Sequence, residues 1–242
     1  MLRQFRLDLK QGQTSPPFSS DIVIEQINVL YDKLNRPLRI LDIGCGSGFH
    51  RQRIHDAVSN RVAYSVGIDW SPAAVARLQT TAIYDSVILA QSNQLPFDSD
   101  SFDIAFSLEN LEHLYVHDVI PAIQEMQRVA DWIVITTPLP QYVIDHEWLN
   151  KEIPLAQADT VTVDVAEFQA MEGTVHKSVV FPDSIQRAGF VSHNELYGRY
   201  TARSCDIDIS KITVQGIEPV PFNCSYNQTY IDLLQSARTW RE

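Results

Sequence analysis

The sequence predicts an α/β protein built on a parallel sheet, and three observations carry that reading. Ile40, Leu41 and Ile43 form a short apolar run with one acid, Asp42, that breaks at once into glycines at 44, 46 and 48. A second apolar run, Val62 to Ile68, ends in Asp69. Strand-patterned and helix-patterned segments then alternate along the chain, the order that crossovers between parallel strands require.

The elements follow in order. Residues 1 to 20 form a polar arm with Pro16, Pro17 and a serine-rich end. Ser20 or Asp21 then caps a helix through about Leu34, with Ile22, Ile24, Ile27, Leu30 and Leu34 on or near one side. Asn35-Arg36-Pro37 breaks it and leads into the first strand. Residues 47 to 58 form the first crossover helix. In the loop between, glycine permits a left-handed turn at Gly44, close approach of a ligand at Gly46 and close helix packing at Gly48. After the second strand, Ser71-Pro72 supplies an N-cap and a proline at the first helical position. The third strand is read at Ser86 to Ala90, a turn at Asp98 to Asp103, and the fourth strand at Phe102 to Ser107. His117 to Ala130 reads as a helix with Val119, Ile120, Ile123, Met126 and Val129 inward. Trp132 to Thr137 is the fifth strand, closed by Pro138 and Pro140. Gln141 to Val175 is less regular, Phe181-Pro182 starts another helix, and Val191 to Leu196 is a sixth strand.

Composition sets the bounds. The chain has 242 residues with 45% apolar content, enough for the core of one large α/β domain. A net charge of -11 and a pI near 5.0 argue against broad, phosphate-driven nucleic-acid binding. No run reaches the roughly 18 apolar residues of a membrane span, and the N-terminus lacks a signal-peptide core, so a cytoplasmic protein is expected. Cys45, Cys205 and Cys224 form no CxxC pair, which suggests neither a disulfide framework nor a metal site.

The glycine spacing says which kind of site to expect. A dinucleotide fold needs GxGxxG to seat a pyrophosphate on the helix N-terminus, but the last position holds Phe49. RILDIGCGSGFH, residues 39 to 50, instead resembles motif I of the class I S-adenosylmethionine-dependent methyltransferases, in particular their type 11 methyltransferase-like domain. The resemblance covers roughly residues 38 to 190. It runs through Asp69, Leu95-Pro96-Phe97, Ser101-Phe102-Asp103, the SLENLEHL stretch from Ser107 to Leu114, and His176 to Phe190. It implies a Rossmann-like, doubly wound, seven-stranded sheet, mostly parallel with one antiparallel strand, in three α/β/α layers. The last antiparallel strand is expected around Ile212 to Val214 and a terminal helix from about Tyr230. Residues 1–36 would be an arm and helix, and 37–242 the methyltransferase domain with a substrate-facing insertion at about 141–175.

The same resemblance implies S-adenosyl-L-methionine as cofactor and assigns residues to it. Asp42 would face the cofactor ammonium through water, while the backbone of Gly44, Cys45 and Gly46 lies against its methionine and ribose parts. Asp69 would take both ribose hydroxyls, since a carboxylate offers two acceptors and a vicinal diol two donors. Trp70 is suited to lie against the adenine. Gln91 stands where the family often has an aspartate for the adenine amino group, and the Ser92 N–H would meet the ring nitrogen. Ser107 lines the transfer chamber, and Glu109 and His113 aim at substrate.

Methyl transfer from a sulfonium is an in-line displacement, so holding the reactants in line can supply roughly 7 to 11 kcal/mol without a catalytic triad. A base serves only an acceptor that must lose a proton, and His113 and His176 are the candidates. The acceptor is expected to be a small molecule, methylated on O, N or C. Two rivals stand beside this. A non-catalytic binder of S-adenosylmethionine or S-adenosylhomocysteine would keep the same pocket. A nicotinamide oxidoreductase is opposed by Phe49 and by the lack of a Tyr/Lys or Ser/Tyr set.

Overall fold

The computed structural model describes residues 18–140, 176–193 and 197–220. The arm before residue 18, the 141–175 insertion and the helix expected from Tyr230 lie outside the described residues.

Among the described residues, five helices and nine strands follow in chain order: α1 (Ser19–Leu34), β1 (Leu38–Ile43), α2 (Phe49–Val58), β2 (Val62–Asp69), α3 (Pro72–Leu78), β3 (Ser86–Leu89), β4 (Phe102–Leu108), α4 (Val116–Val129), β5 (Ala130–Thr137), β6 (His176–Val180), α5 (Pro182–Arg187), β7 (Val191–Ser192), β8 (Gly198–Arg203) and β9 (Val214–Val220). Seven of the strands form one sheet in the order β3-β2-β1-β4-β5-β8-β7. The order reverses between β1 and β4, where neighbouring crossovers leave on opposite faces and open a crevice at the strand carboxyl ends. β1 to β5 pair in parallel, and β8 runs antiparallel to both β5 and β7. The seven-stranded, doubly wound sheet with one antiparallel member is therefore present as expected.

Both faces of the sheet are covered, which is why its central strands are apolar without alternation. Ile40 of β1 and Ile104 and Phe106 of β4 pack under α1 and α2 with Ile27, Leu30 and Ile54. Leu41, Ile43, Ala105 and Ile133 face the other way, toward Val119, Ile123, Met126 and Val129 of α4. Those four α4 side chains are fully buried, each worth roughly 1.5 to 3 kcal/mol of transfer free energy.

Four expectations need correction. α1 begins at Ser19 and its N-cap position, Phe18, makes no side-chain cap. Ser20 Oγ is drawn instead to His50 Nδ1 at 2.9 Å, and Asp21 accepts from Arg53 at 3.2 Å, so contacts with α2 displace capping. α2 starts at Phe49, not Ser47, because Gly48 sits at φ +79°, outside the right-handed helical region. The antiparallel strand is Gly198–Arg203; the segment expected at 212–214 leads into β9, which pairs with β6 in a separate two-stranded sheet. Only Val191 and Ser192 of the expected sixth strand are in the sheet, and residues 194–196 lie outside the described ones.

The Ser101-Phe102-Asp103 motif is explained by a buried ion pair at the start of β4. Asp103, 1% exposed, accepts from Arg36 at 2.9 and 2.7 Å, from the Arg39 N–H at 2.7 Å and from the Arg39 guanidinium at 3.2 Å. Burial opposes its ionisation, but these donors prevail and bring its pKa down to about 2. A depressed carboxyl stabilises the fold above its ordinary pKa of about 3.9 and loses that effect as pH falls toward 2. Among these donors Arg36 pulls hardest, followed by the Arg39 N–H, and because Arg36 is half exposed water screens part of its effect on stability. We expect Asp103→Asn to cost about 1.5 to 3 kcal/mol in urea unfolding at pH 7, and the gap from wild type to shrink between pH ~4 and ~2.

Candidate active site

The site assembles where β1, β2, β4 and β5 end. Gly44 N–H and Cys45 N–H both donate to Ile68 O at 2.9 Å, which folds the loop after β1 across the end of β2. One residue on, Asp69 closes the arrangement: its Oδ2 accepts from Gly46 N–H and its Oδ1 from Ser71 N–H, each at 2.8 Å. Arg77 of α3 grips the other side of the loop through Gly46 O at 2.8 Å. Ser71 caps α3 as expected, accepting from Ala74 N–H at 3.4 Å, with Pro72 behind it.

The three glycines differ in what surrounds them. A Cβ at Gly44 would stand 2.4 Å from Asn110 Oδ1, and one at Gly48 2.6 Å from Leu78 Cδ2. At Gly46 the nearest atom would be Gly44 O at 3.8 Å. Gly46 is thus the glycine whose Cβ side leaves room for a ligand, while at the other two that space is filled by the protein.

Asp42 and Asp69 both lie at this cradle, but each is engaged within the protein. Asp42 is buried and accepts from Tyr84 Oη at 2.6 Å. Asp69 is 7% exposed and holds the loop and the α3 cap, roles in addition to the ribose contact the resemblance implies. Cys45 is buried, and burial pushes its thiol pKa far up, so it contributes backbone rather than a nucleophile. Trp70 follows Asp69 with half its surface exposed, and Leu89, the register partner of Asp69 on β3, is also exposed. These two apolar groups at adjacent strand ends suit a flat aromatic ligand.

Across the crevice, Gln91 is exposed and bridges to Gln94, and Ser92 is half buried. Leu95 N–H donates to Glu125 at 2.7 Å, and Arg128 holds Phe97 O at 2.7 Å and Leu95 O at 3.1 Å. That clamp from α4 is why Leu95-Pro96-Phe97 has a fixed course. Ser107 is fully buried beneath Asn110, whose amide donates to Ser107 Oγ at 3.1 Å and Ser92 Oγ at 3.4 Å. Asn110 ties the ends of β3 and β4 to the glycine loop, and sequence reasoning passed over it in favour of its charged neighbours. Its signal was available as an amide placed just beyond a strand end.

Glu109 is not turned toward substrate as expected. Its Oε1 accepts from Ser19 at 2.9 Å and Thr136 at 2.6 Å, and its Oε2 accepts from Tyr197 Oη. Burial raises its pKa to about 7 against the pull of Thr136 and Ser19. Glu112 is buried as well, and burial with the nearby Glu109 charge raises it further. His113 lies half buried in the 3-10 turn Leu111–His113, with Nε2 4.0 Å from Glu112 Oε1. His176 opens β6, and Ser178 of that strand donates to Leu111 O at 3.1 Å, so the backbone of β6 runs beside the His113 turn. The His176 side chain lies outside what is described. Among the described residues no group of His, Cys, Asp or Glu is set to hold a metal, and no helix is long and apolar enough to cross a membrane.

Residues 40–131 match the family described as methyltransferase domain. The 18S rRNA (guanine-N(7))-methyltransferase of Bos taurus is 35% identical over 81 residues, which cover 33% of this chain and 27% of that protein's length. A methyltransferase structure from Mesorhizobium loti, named as S-adenosylmethionine dependent, is 26% identical over 45% of this chain and 50% of its own, with a TM-score of 0.38. The plantazolicin methyltransferase BpumL, solved with S-adenosylhomocysteine, is 18% identical over 59% of this chain and 56% of its own, with a TM-score of 0.46. Strand order and glycine loop together define the class I methyltransferase fold. Within it, residues 40–131 are the part of the chain that matches the methyltransferase domain family.

The contrast between glycines yields a test. Gly44→Ala should lower thermal stability markedly, because the Cβ meets Asn110 at φ +77°. Gly46→Ala should cost only about 1 to 2 kcal/mol for its left-handed backbone yet reduce cofactor affinity at least about tenfold by occupying the cradle. Calorimetry of unfolding and of binding on both variants separates the two effects.

Proposed function

We propose that the protein transfers a methyl group from S-adenosyl-L-methionine to an O, N or C atom of a small-molecule acceptor. The observation that carries this is the loop bound by Asp69 through Gly46 N–H while the Cβ side of Gly46 stays open. Asp42, Gly44, Cys45 and Gly46 would hold the amino-acid end of the cofactor, Asp69 its ribose, and Trp70, Gln91 and Ser92 its adenine. Bound there, the cofactor supplies an activated methyl on a sulfonium. The protein's part is to hold the acceptor in line with it and to keep water out. Ser107 and Asn110 floor the chamber, and His113 stands at its side to take a proton from an acceptor that must lose one.

The acidic balance of the chain supports a small acceptor over a polynucleotide. The guanine of rRNA in the name of the bovine relative belongs to a protein of which this chain spans 27%. We take residues 37–242 as one methyltransferase domain with 1–36 as arm and helix, and 141–175 as the acceptor-facing insertion. A non-catalytic cofactor binder is the second reading, favoured by the full engagement of Glu109 within the protein.

Incubating the protein with methyl-labelled cofactor and metabolite pools should move label into a small molecule; binding without transfer to any pool supports the second reading. Asp69→Ala should weaken cofactor binding by about 1.5 to 3 kcal/mol, or roughly tenfold to a hundredfold. An unchanged calorimetric affinity removes Asp69 from the site. His113→Ala should reduce turnover with cofactor affinity near wild type.

A further inference from the structure

A buried cluster lies under the glycine loop, and two of its members, Tyr84 and Arg51, have no part in the reading above. Tyr84, in the segment before β3, is 8% exposed and donates to Asp42 Oδ2 at 2.6 Å. Its ring fits because Gly67 of β2 lacks a side chain: a Cβ there would lie 3.0 Å from Tyr84 Cε1 and Cζ and 3.1 Å from Cys45 Sγ. Arg51, from the first turn of α2, is 3% exposed and lies 5.6 Å from the Tyr84 ring centroid. Its Nε and Nη1 are buried with no hydrogen-bond partner. A cation so placed stabilises an anion nearby, and the carboxylates it faces are Asp42 and Asp85.

We infer that Tyr84 is a positioning residue for cofactor binding: its hydroxyl fixes Oδ2 of Asp42 and leaves Oδ1 to receive the cofactor ammonium, directly or through water. The inference rests on the cofactor reading above. A carboxylate that is both buried and unheld would protonate or turn, and either change removes the charge a cationic ligand needs. Tyr84 acts against both. The groups facing Asp42 are Tyr84 from the segment before β3, Arg51 from α2, Asp69 from β2 and Cys45 from the loop. Burial raises Asp42, Tyr84 and Arg51 pull it back, Asp69 adds to the rise, and the outcome is about 7. The ionised form binds the ammonium, so affinity is strong above that pH and falls as pH drops through it.

Calorimetric titration of the full chain with S-adenosyl-L-homocysteine, which carries the same amino-acid end, tests this between pH 6 and 9. For wild type, affinity should rise from pH 6 to 8. In Tyr84→Phe the rise should move up by about one unit, leaving binding roughly fivefold weaker at pH 7 and near wild type by about pH 9. The ligand's amino group titrates alike in both titrations, so the ratio of the two affinities is the readout. Coincident curves, or a gap constant with pH as a purely structural role would give, overturn the inference while leaving the cofactor reading in place. No binding to wild type at any pH overturns both. Carboxyl NMR, assigned with Asp42→Asn, gives a second readout: the Asp42 midpoint should lie higher in Tyr84→Phe than in wild type, because the phenol hydrogen bond favours the ionised form. Equal midpoints overturn the inference.

Discussion

The site depends on one carboxylate reaching two ways. Asp69 ends β2 and accepts one N–H from the loop after β1 and another from the residue that caps α3. Two crossovers leaving adjacent strands are thereby tied to a single side chain. Backbone N–H groups at such turns are otherwise unsatisfied or left to water, and an acid at the strand end satisfies them while bringing negative charge to the crevice. The same choice of residue therefore sets the loop's shape and fixes a carboxylate at the mouth of the crevice.

Around that bridge, every nearby element supplies a constraint. Arg77 holds Gly46 O from α3, Asn110 leans on Gly44 from β4, and Leu78 with Ile83 fills the space that Gly48 leaves empty. What remains open is the Gly46 side of the loop, with Trp70 exposed nearby. Preorganisation of this kind keeps the ordering cost out of ligand binding, since the loop is already fixed before anything occupies it.

Much of this was legible in the sequence where a local rule governs. The apolar run into Gly44, the Ser71-Pro72 cap and the inward face of α4 each follow from short-range chemistry, and each is present save that Ile120 of α4 is only half buried. The seven-stranded, mostly parallel sheet also followed, because the resemblance spans β1 to β5 as a unit. Misplaced features belong to tertiary partners instead. Ser20 left its cap for His50, Glu109 turned to Ser19, Thr136 and Tyr197, and Asn110 gained its importance from Gly44, 66 positions earlier in the sequence. The antiparallel strand was misassigned because Gly198–Arg203 is a mixed polar run whose burial comes from β5 alongside it, which no period in the segment reveals.

Glu109 joins three segments that lie far apart in the chain: the first turn of α1, the end of β5 and the approach to β8. Phe18 adds an aromatic edge contact with Tyr197 at the same junction. Withdrawing α1 would take one hydroxyl from an acid already short of solvent, and the acid would then have to take up a proton or admit water. The seating of α1 and the ionic state of Glu109 are thus a single variable, and whatever lifts the helix also changes the charge beneath it.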